Sequence, residues 1–247
     1  MTLDGRHIVV TGGGSGVGAQ TAQALAQAGA VVTVMGRTAE TLEAQGLPFE
    51  TCDVTDQSAV QAAFGAARAA RGPVVGVIAN AGAAESVPFA RMSPELLQSM
   101  LAVNLVGVAN CFQAALPDMK ATGWGRMIAI ASTAGLKGYP YVSAYCAAKH
   151  GVVGLTRALA LELAGVGVTV NAICPGFIET PMLERSVANI VDKTGMSQDK
   201  ARASLMAGNP QKRFIQTDEV AGTAVWLCSE AARSVNGHAL SLSGGEI

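Results

Sequence analysis

The sequence predicts an α/β fold: a single doubly wound parallel sheet with helices on both faces and a lid insertion before the last helix. Three observations carry this reading. Short β-branched runs alternate with Ala- and Leu-rich helical patterns along the 247 residues. The runs are almost continuously apolar, as strands are when both faces of a parallel sheet are covered. A glycine-rich turn directly follows the first run, where such a sheet passes into its first helix.

The elements follow in order. His7 to Thr11 reads as the first strand and Gly16 to Ala28 as the helix after it. Val31 to Met35 is the second strand, Thr38 to Gln45 a short helix, and Phe49 to Cys52 a third strand. Gln57 to Ala70 is helical, Val74 to Ala79 extended, and Pro94 to Lys120 a long helical stretch. Arg126 to Ala131 is a strand, Val142 to Ala164 a helix, and Val168 to Cys174 a strand. A helix over Asp218 to Ser229 and a strand over Ala239 to Leu242 complete the pattern. No linker or repeat divides the chain, so residues 1–247 form one domain.

Glu179 to Arg213 breaks the rhythm. It shows little apolar periodicity and contains Pro181, Gly195, Gly208 and Pro210. Its basic residues Arg185, Lys193, Lys200, Arg202, Lys212 and Arg213 outnumber its acidic ones. A long insertion between a strand and the next helix is the usual form of a lid, and 179–213 is the expected substrate lid.

Composition narrows the function. Half of the residues are hydrophobic, 14% are charged and the net charge is −1, which excludes intrinsic disorder. There is no overall basic field for nucleic acid, and aromatics at 4% leave few platforms for base stacking. No N-terminal apolar stretch resembles a signal peptide, and no window of 18 uninterrupted apolar residues predicts a membrane span. The five cysteines are widely spaced with no C-x-x-C pair, which predicts reduced core thiols and a cytoplasmic protein. The three histidines lack ligand spacing, and no metal site is expected.

The first strand ends in Thr11-Gly12-Gly13-Gly14-Ser15-Gly16-Val17-Gly18. Glycine allows positive φ, and its missing side chain lets backbone N–H groups approach an anion. A helix N-terminus then offers unpaired donors and a positive dipole end to a pyrophosphate. Gly14 to Ala19 also satisfies G-x-G-x-x-G/A in the strand–helix context the motif requires. An NAD site normally places an acid at the end of the second strand. Here Gly36 stands there, followed by Arg37 and Thr38. A guanidinium pairs with a 2′-phosphate, so the sequence leans towards NADP(H), with NAD(H) as the alternative.

Tyr145 and Lys149 are four residues apart on a predicted helix and so share a face. A phenol has a reference pKa of about 10, too high for it to serve as a base at neutral pH. A nearby cation favours phenolate and is expected to lower that pKa. Tyr139 and Tyr141 have no lysine at the same spacing.

These motifs make the chain resemble the short-chain dehydrogenase/reductase family, with its Rossmann-type sheet, over essentially its whole length. The family's T-G-x-x-x-G-x-G corresponds to Thr11–Gly18, and its N-A-G to Asn80-Ala81-Gly82. Its catalytic serine corresponds to Ser132 and its Tyr-x-x-x-Lys to Tyr145 and Lys149. Its helix asparagine corresponds to Asn104, and Asp53, followed by Val54, to the residue that meets the adenine. Its P-G motif is Pro175-Gly176, followed by Ile178 and Thr180 on the cofactor side. Each residue alone also has a structural reading: Ser132 as a turn residue, Asn104 as a satisfied helix polar group, Asn80 as a loop anchor, Asp53 as a helix cap.

The resemblance implies a reversible hydride transfer between a nicotinamide cofactor and a ketone or secondary alcohol. Asn104, Ser132, Tyr145 and Lys149 would form the catalytic set. The stretch from Ile173 to Met182 is similar to polyketide ketoreductases, and the segment onward to 3-hydroxybutyrate dehydrogenases. A 3-oxoacyl or 3-hydroxyacyl substrate is therefore expected, for which the net positive lid would suit a carboxylate, coenzyme A or phosphopantetheine. The alternatives are an NAD-dependent secondary alcohol or 3-hydroxy acid dehydrogenase and an inactive cofactor-binding partner subunit. Family members are commonly homotetramers. Apolar and small residues Gly151 to Leu155 and Leu159, with Ala221, Ala224, Val225 and Leu227, are the candidate interface. Two departures from the family stand out. The segment between the second and third strands is short, and Gly244 to Ile247 leaves almost no tail to close the site.

Overall fold

The structure, a computed structural model, describes residues 2–247. Seven parallel strands are ordered β3-β2-β1-β4-β5-β6-β7. They are β1 (His7–Thr11), β2 (Val31–Gly36), β3 (Phe49–Thr51), β4 (Val74–Ala79), β5 (Gly125–Ile130), β6 (Val168–Pro175) and β7 (Ala239–Leu242). The strand order reverses between β1 and β4, which opens a crevice beyond their carboxyl ends.

Alternation along each strand builds two apolar layers. Val9 packs into one with Val60, Phe64 and Phe112, whereas Ile8 and Val10 pack into the other with Leu25, Val220 and Leu227. The first layer holds α3 (Gln57–Arg71), α5 (Gly107–Thr122) and α6 (Ser143–Leu163); the second holds α1 (Gly16–Gln27) and α9 (Thr217–Cys228). Removing Phe64 or Leu25 from water stabilises the fold by about 1.5–3 kcal/mol each. The Asp56 carboxylate caps α3 by accepting from the N–H groups of Ser58 and Ala59, so the cap is not Asp53. Between β2 and β3 only a five-residue helix, α2 (Ala39–Glu43), forms, in line with the short segment expected there.

The long helical stretch is continuous but not uniform. It runs as α4 (Pro94–Leu101), a π turn at Ala102–Val106, and α5. Its 29 residues are apolar enough for a membrane span, with mean hydropathy 1.5, yet half of the most apolar window is buried in the protein. It is a core helix.

The lid region departs from expectation. Residues 179–213 form two helices, α7 (Pro181–Thr194) and α8 (Gln198–Met206). Their apolar residues Leu183, Val187 and Ala201 close over Phe214 as a separate small core. Leu183, Val187, Ile190 and Val191 recur at helical spacing along α7 and pack with Phe177 and Phe214 rather than on the sheet, a periodicity the sequence reading missed. The lid's charge is also partly neutralised: Arg202 pairs within it with Glu179 at 2.7 Å and with Glu184, and Arg213 pairs with Glu219 of α9.

Candidate active site

The ends of β1 and β4 are tied together first. The Asn80 side chain donates to the carbonyls of Thr11 and Gly12 at 3.0 and 3.2 Å. The Thr11 hydroxyl accepts from the N–H groups of Asn80 and Ala81, both at 3.1 Å. Asn80 and Thr11 thus hold the glycine loop in place, the structural reading of Asn80. The loop then needs glycine: Gly16 has φ +53°, and a Cβ on Gly18 would lie 2.2 Å from the Gly12 carbonyl oxygen.

The resulting cradle suits a pyrophosphate. Ser15 is extended at the N-terminus of α1, and its hydroxyl makes no capping bond, so the first N–H groups of the helix are open to an anion. Val17 and Gly18 are buried behind them. Across the cleft, the Thr180 methyl lies 3.5 Å from the Cβ position of Gly16, so a side chain there would fill the space between loop and lid. Gly14 is backed by Thr41, and Gln45 donates to its carbonyl at 3.0 Å, so the short α2 segment supports the loop. The residues present fit a dinucleotide.

Past β3, the Asp53 carboxyl is held below the usual carboxylate range. Thr55 causes most of this by donating from its N–H and hydroxyl at 2.9 and 2.8 Å, and the Arg37 guanidinium adds to it. Arg37 and Thr38 are exposed beside it. Val54 is buried, and its carbonyl is taken by Asn110 at 2.9 Å.

Beyond β5 and β6 lies the reacting region. Ser132 follows β5, with its hydroxyl accepting from Ala134 N–H at 3.1 Å and standing 3.5 Å from the Pro175 carbonyl at the end of β6. The Tyr145 hydroxyl, from the first turn of α6, lies near enough to Ser132 for that residue to favour its phenolate. One turn further, Lys149 is buried, with its ammonium 5.5 Å from the Tyr145 ring centroid. Burial pushes the Tyr145 phenol up to about 12 and the Lys149 ammonium down to about 8. The direction for Tyr145 is opposite to that expected from the sequence: loss of solvation on burial outweighs the lowering by Ser132.

Asn104 is fully buried in the π turn. Its amide donates to the carbonyls of Ala83 and Met100 at 2.9 and 3.0 Å and accepts from Ala83 N–H at 3.3 Å. A Cβ on Gly82 would stand 2.8 Å from the Asn104 carbonyl oxygen and 3.8 Å from the Lys149 nitrogen. Asn104 and Lys149 therefore meet at the bare backbone of Gly82. Gly176, Ile178 and Thr180 lead from β6 into the lid; Ile178 pairs with Ile215 in an isolated bridge, and the Thr180 hydroxyl donates to the Ile178 carbonyl at 3.3 Å.

All the sequence-nominated residues come to the carboxyl ends of the strands, Arg37 and Asp53 at one edge and Ser132, Tyr145 and Lys149 near the centre. The sequence reading missed Lys137, Tyr139 and Glu246, which form a partly buried network beside this cleft. No local pattern marks it, because Glu246 lies more than a hundred residues further along the chain. Short as the tail is, it reaches the loop before Tyr145.

A phosphate cradle at a helix N-terminus, next to a hydroxyl, a phenol and a buried ammonium, defines a nicotinamide-dependent oxidoreductase. The chain belongs to the short-chain dehydrogenase family, whose profile matches residues 6–190. It is 37% identical to a D-beta-hydroxybutyrate dehydrogenase of Cupriavidus necator, over 98% of both chains. It is 33% identical to a 3-oxoacyl-acyl-carrier-protein reductase of Thermotoga maritima, over 99% of both. The crystal structure of an actinorhodin polyketide ketoreductase variant with NADPH superposes with a TM-score of 0.93 at 35% identity, covering 98% of this chain and 97% of that one. The protein is an NAD(P)-dependent oxidoreductase acting on CH–OH groups.

Proposed function

We propose that the protein is an NADP(H)-preferring reductase that interconverts a 3-oxoacyl compound or related ketone with its secondary alcohol. The observation that carries this reading is the meeting of Ser132, Tyr145 and Lys149 in one cleft with the open N-terminus of α1. The loop Gly12–Gly18 and Thr180 would hold the phosphates, Arg37 and Thr38 the 2′-phosphate, and Asp53 and Val54 the adenine. Asn80, Ala81 and Gly82 would flank the ribose, and Pro175, Gly176 and Ile178 the nicotinamide. When bound, the cofactor supplies the hydride.

The chain's own residues do the rest. Ser132 and Tyr145 hydrogen-bond the carbonyl oxygen, and these fixed donors stabilise the negative charge that grows on it. Tyr145 gives that oxygen its proton. Lys149, at the floor of the cleft, stabilises the phenolate left behind and anchors the nicotinamide ribose. Asn104 fixes the π turn beside Lys149 and supports a water path that returns the proton. Oxidation runs the same steps in reverse.

The 3-oxoacyl class is supported by the ketoreductase and reductase relatives. A second reading, an NAD-dependent 3-hydroxy acid dehydrogenase, is favoured by the hydroxybutyrate dehydrogenase relative. We also propose a homotetramer. The candidate interface residues Val152, Val153, Ala221, Ala224 and Leu227 are spent in the intramolecular core, but Leu161 on α6 is 84% exposed and offers an apolar contact. The test of function is steady-state turnover with NADPH and NADH across 3-oxoacyl thioesters, free 3-oxo acids and cyclic ketones. Turnover confined to free acids with NADH favours the second reading.

A further inference from the structure

We propose that Glu246 is a positioning residue for the substrate cleft, its carboxylate clasping the loop between Ser132 and Tyr145 to both ends of the lid. The side chain is only 8% exposed. Its Oε1 accepts from the Lys137 ammonium at 2.7 Å and from the Tyr139 hydroxyl at 2.9 Å. A tyrosine hydroxyl has one proton. The 2.7 Å contact between Tyr139 and Thr133 must therefore be donated by Thr133. Thr133 adjoins Ser132, so the carboxylate is two hydrogen bonds from the residue beside the proposed carbonyl-binding serine.

The same carboxylate occupies room left by two glycines. A Cβ on Gly208 would lie 2.7 Å from Oε1, and one on Gly176 would lie 3.6 Å from Oε2. Gly176 precedes the lid and Gly208 follows its second helix, α8. Tyr139 also meets Phe177 edge-on, with ring centroids 6.3 Å apart, which joins the loop to the lid's first residues a second time. The tail is itself held: Gly244 has φ +63° and packs against the Asn209 side chain, and Ile247 N–H donates to the Ser243 hydroxyl at 3.3 Å.

The energetics favour a purpose. A carboxylate at the molecular surface can stay in water at no cost, whereas burial is costly unless the charge is paired and hydrogen-bonded. Here Lys137 and Tyr139 offset that cost, and what the arrangement gains is a fixed geometry between loop and lid. Glu246 touches neither Ser132 nor Tyr145; it acts through Tyr139 and the lid. The inference rests on the reading of Ser132 and Tyr145 as the carbonyl-binding pair.

The test compares full-length Glu246→Ala, Glu246→Gln and Tyr139→Phe with the wild type by kinetics on its best ketone, cofactor titration and hydrogen exchange. In Glu246→Ala, KM for the ketone should rise about tenfold, the loss of one charge-assisted bond, with the cofactor Kd within about twofold. Amides in residues 133–142 and 181–206 should exchange faster. Glu246→Gln, which still accepts from Tyr139, should show a smaller rise. Glu246→Ala combined with Tyr139→Phe should be no worse than Glu246→Ala alone, because both break one network. An unchanged KM, a parallel loss of cofactor affinity, or additive effects in the double variant would overturn the proposal. If the wild type reduces no ketone, the proposed function fails and hydrogen exchange decides the clasp: faster exchange confined to those two segments supports it, and unchanged protection overturns it.

Discussion

The Lys149 ammonium donates to the Ile130 carbonyl at 2.8 Å, so the last residue of β5 fixes the cation under the cleft two positions before Ser132. Burial lowers the ammonium to about 8 and raises the Tyr145 phenol to about 12. The cation is needed while phenolate forms, so kcat/KM for ketone reduction should fall as pH rises through about 8. A profile that stays flat from about pH 7 to about pH 9 would show that this proton does not matter. Tyr145→Phe should lower kcat by about 10²–10⁴-fold with cofactor affinity nearly intact. Lys149→Ala should lower kcat and weaken cofactor binding together.

His7 carries a second pH dependence, one of stability. Its Nδ1 meets the Gly72 carbonyl and its Nε2 meets the Thr33 hydroxyl, both at 2.8 Å. The Gly72 carbonyl can only accept, so the neutral ring donates from Nδ1 and its Nε2 accepts the proton of Thr33, whose oxygen also accepts from Arg71 at 3.0 Å. Burial is the main cause that lowers His7 below its ordinary value; the Gly72 bond opposes it and Arg71 adds to it. A lowered value means that the unfolded chain binds the proton more readily. The stabilisation is therefore full above about pH 6.5 and is lost as pH falls towards the folded value. Thermal melts between about pH 5 and about pH 8 should show this loss in the wild type and a shallower one in His7→Gln. Equal slopes would remove His7 from the account.

How much of this was legible depends on where the partners lie. β1, β4, β5 and β6 were read within about a residue, because burial on both faces forces continuous apolar runs. The Tyr145–Lys149 pair and the glycine loop were legible because their geometry is local to one helix and one turn. The π turn at Asn104 was not, because it depends on Ala83 across a loop. The direction of the Tyr145 shift was misjudged because sequence spacing gives the neighbouring charge but not the desolvation.

The cradle predicts opposite behaviour for two of its glycines. Gly16→Ala keeps clear of atoms closer than 3.5 Å but forces a methyl-bearing residue to φ +53° and fills the space facing Thr180. It should weaken the cofactor Kd by about tenfold or more and cost only about 1 kcal/mol of stability. Gly18→Ala drives a methyl to 2.2 Å from the Gly12 carbonyl and should destabilise the fold itself by about 1–3 kcal/mol. Fluorescence titration with chemical unfolding separates them, and a Gly16→Ala protein with wild-type affinity would place the phosphates elsewhere.

Assembly is tested by light scattering. The expected mass at micromolar concentration is that of a homotetramer, and Leu161→Glu, at the most exposed large apolar residue among those described, should shift it towards smaller species. A monomeric wild type would refute the tetramer.

Cofactor choice turns on Arg37. Its side chain is exposed and its charge is felt by Asp53, which leaves it free to meet a 2′-phosphate if the proposed cofactor reading holds. A charge-assisted contact contributes roughly 1.5–3 kcal/mol, so NADPH should be preferred to NADH by about tenfold or more in kcat/KM. Arg37→Leu alone should erase most of that preference. Gly36→Asp with Arg37→Leu should reverse it, because the new carboxylate repels the phosphate and accepts from the ribose hydroxyl. The structure adds a cost: a Cβ on Gly36 would lie 3.3 Å from the Leu42 side chain, which is 1% exposed, so Leu42 must give by a few tenths of an ångström. The double variant should therefore melt earlier than Arg37→Leu while turning over faster with NADH. Steady-state rates with both reduced cofactors on one ketone decide the matter. If the wild type is equally fast or faster with NADH, Arg37 does not read the phosphate, and its charge serves Asp53 alone.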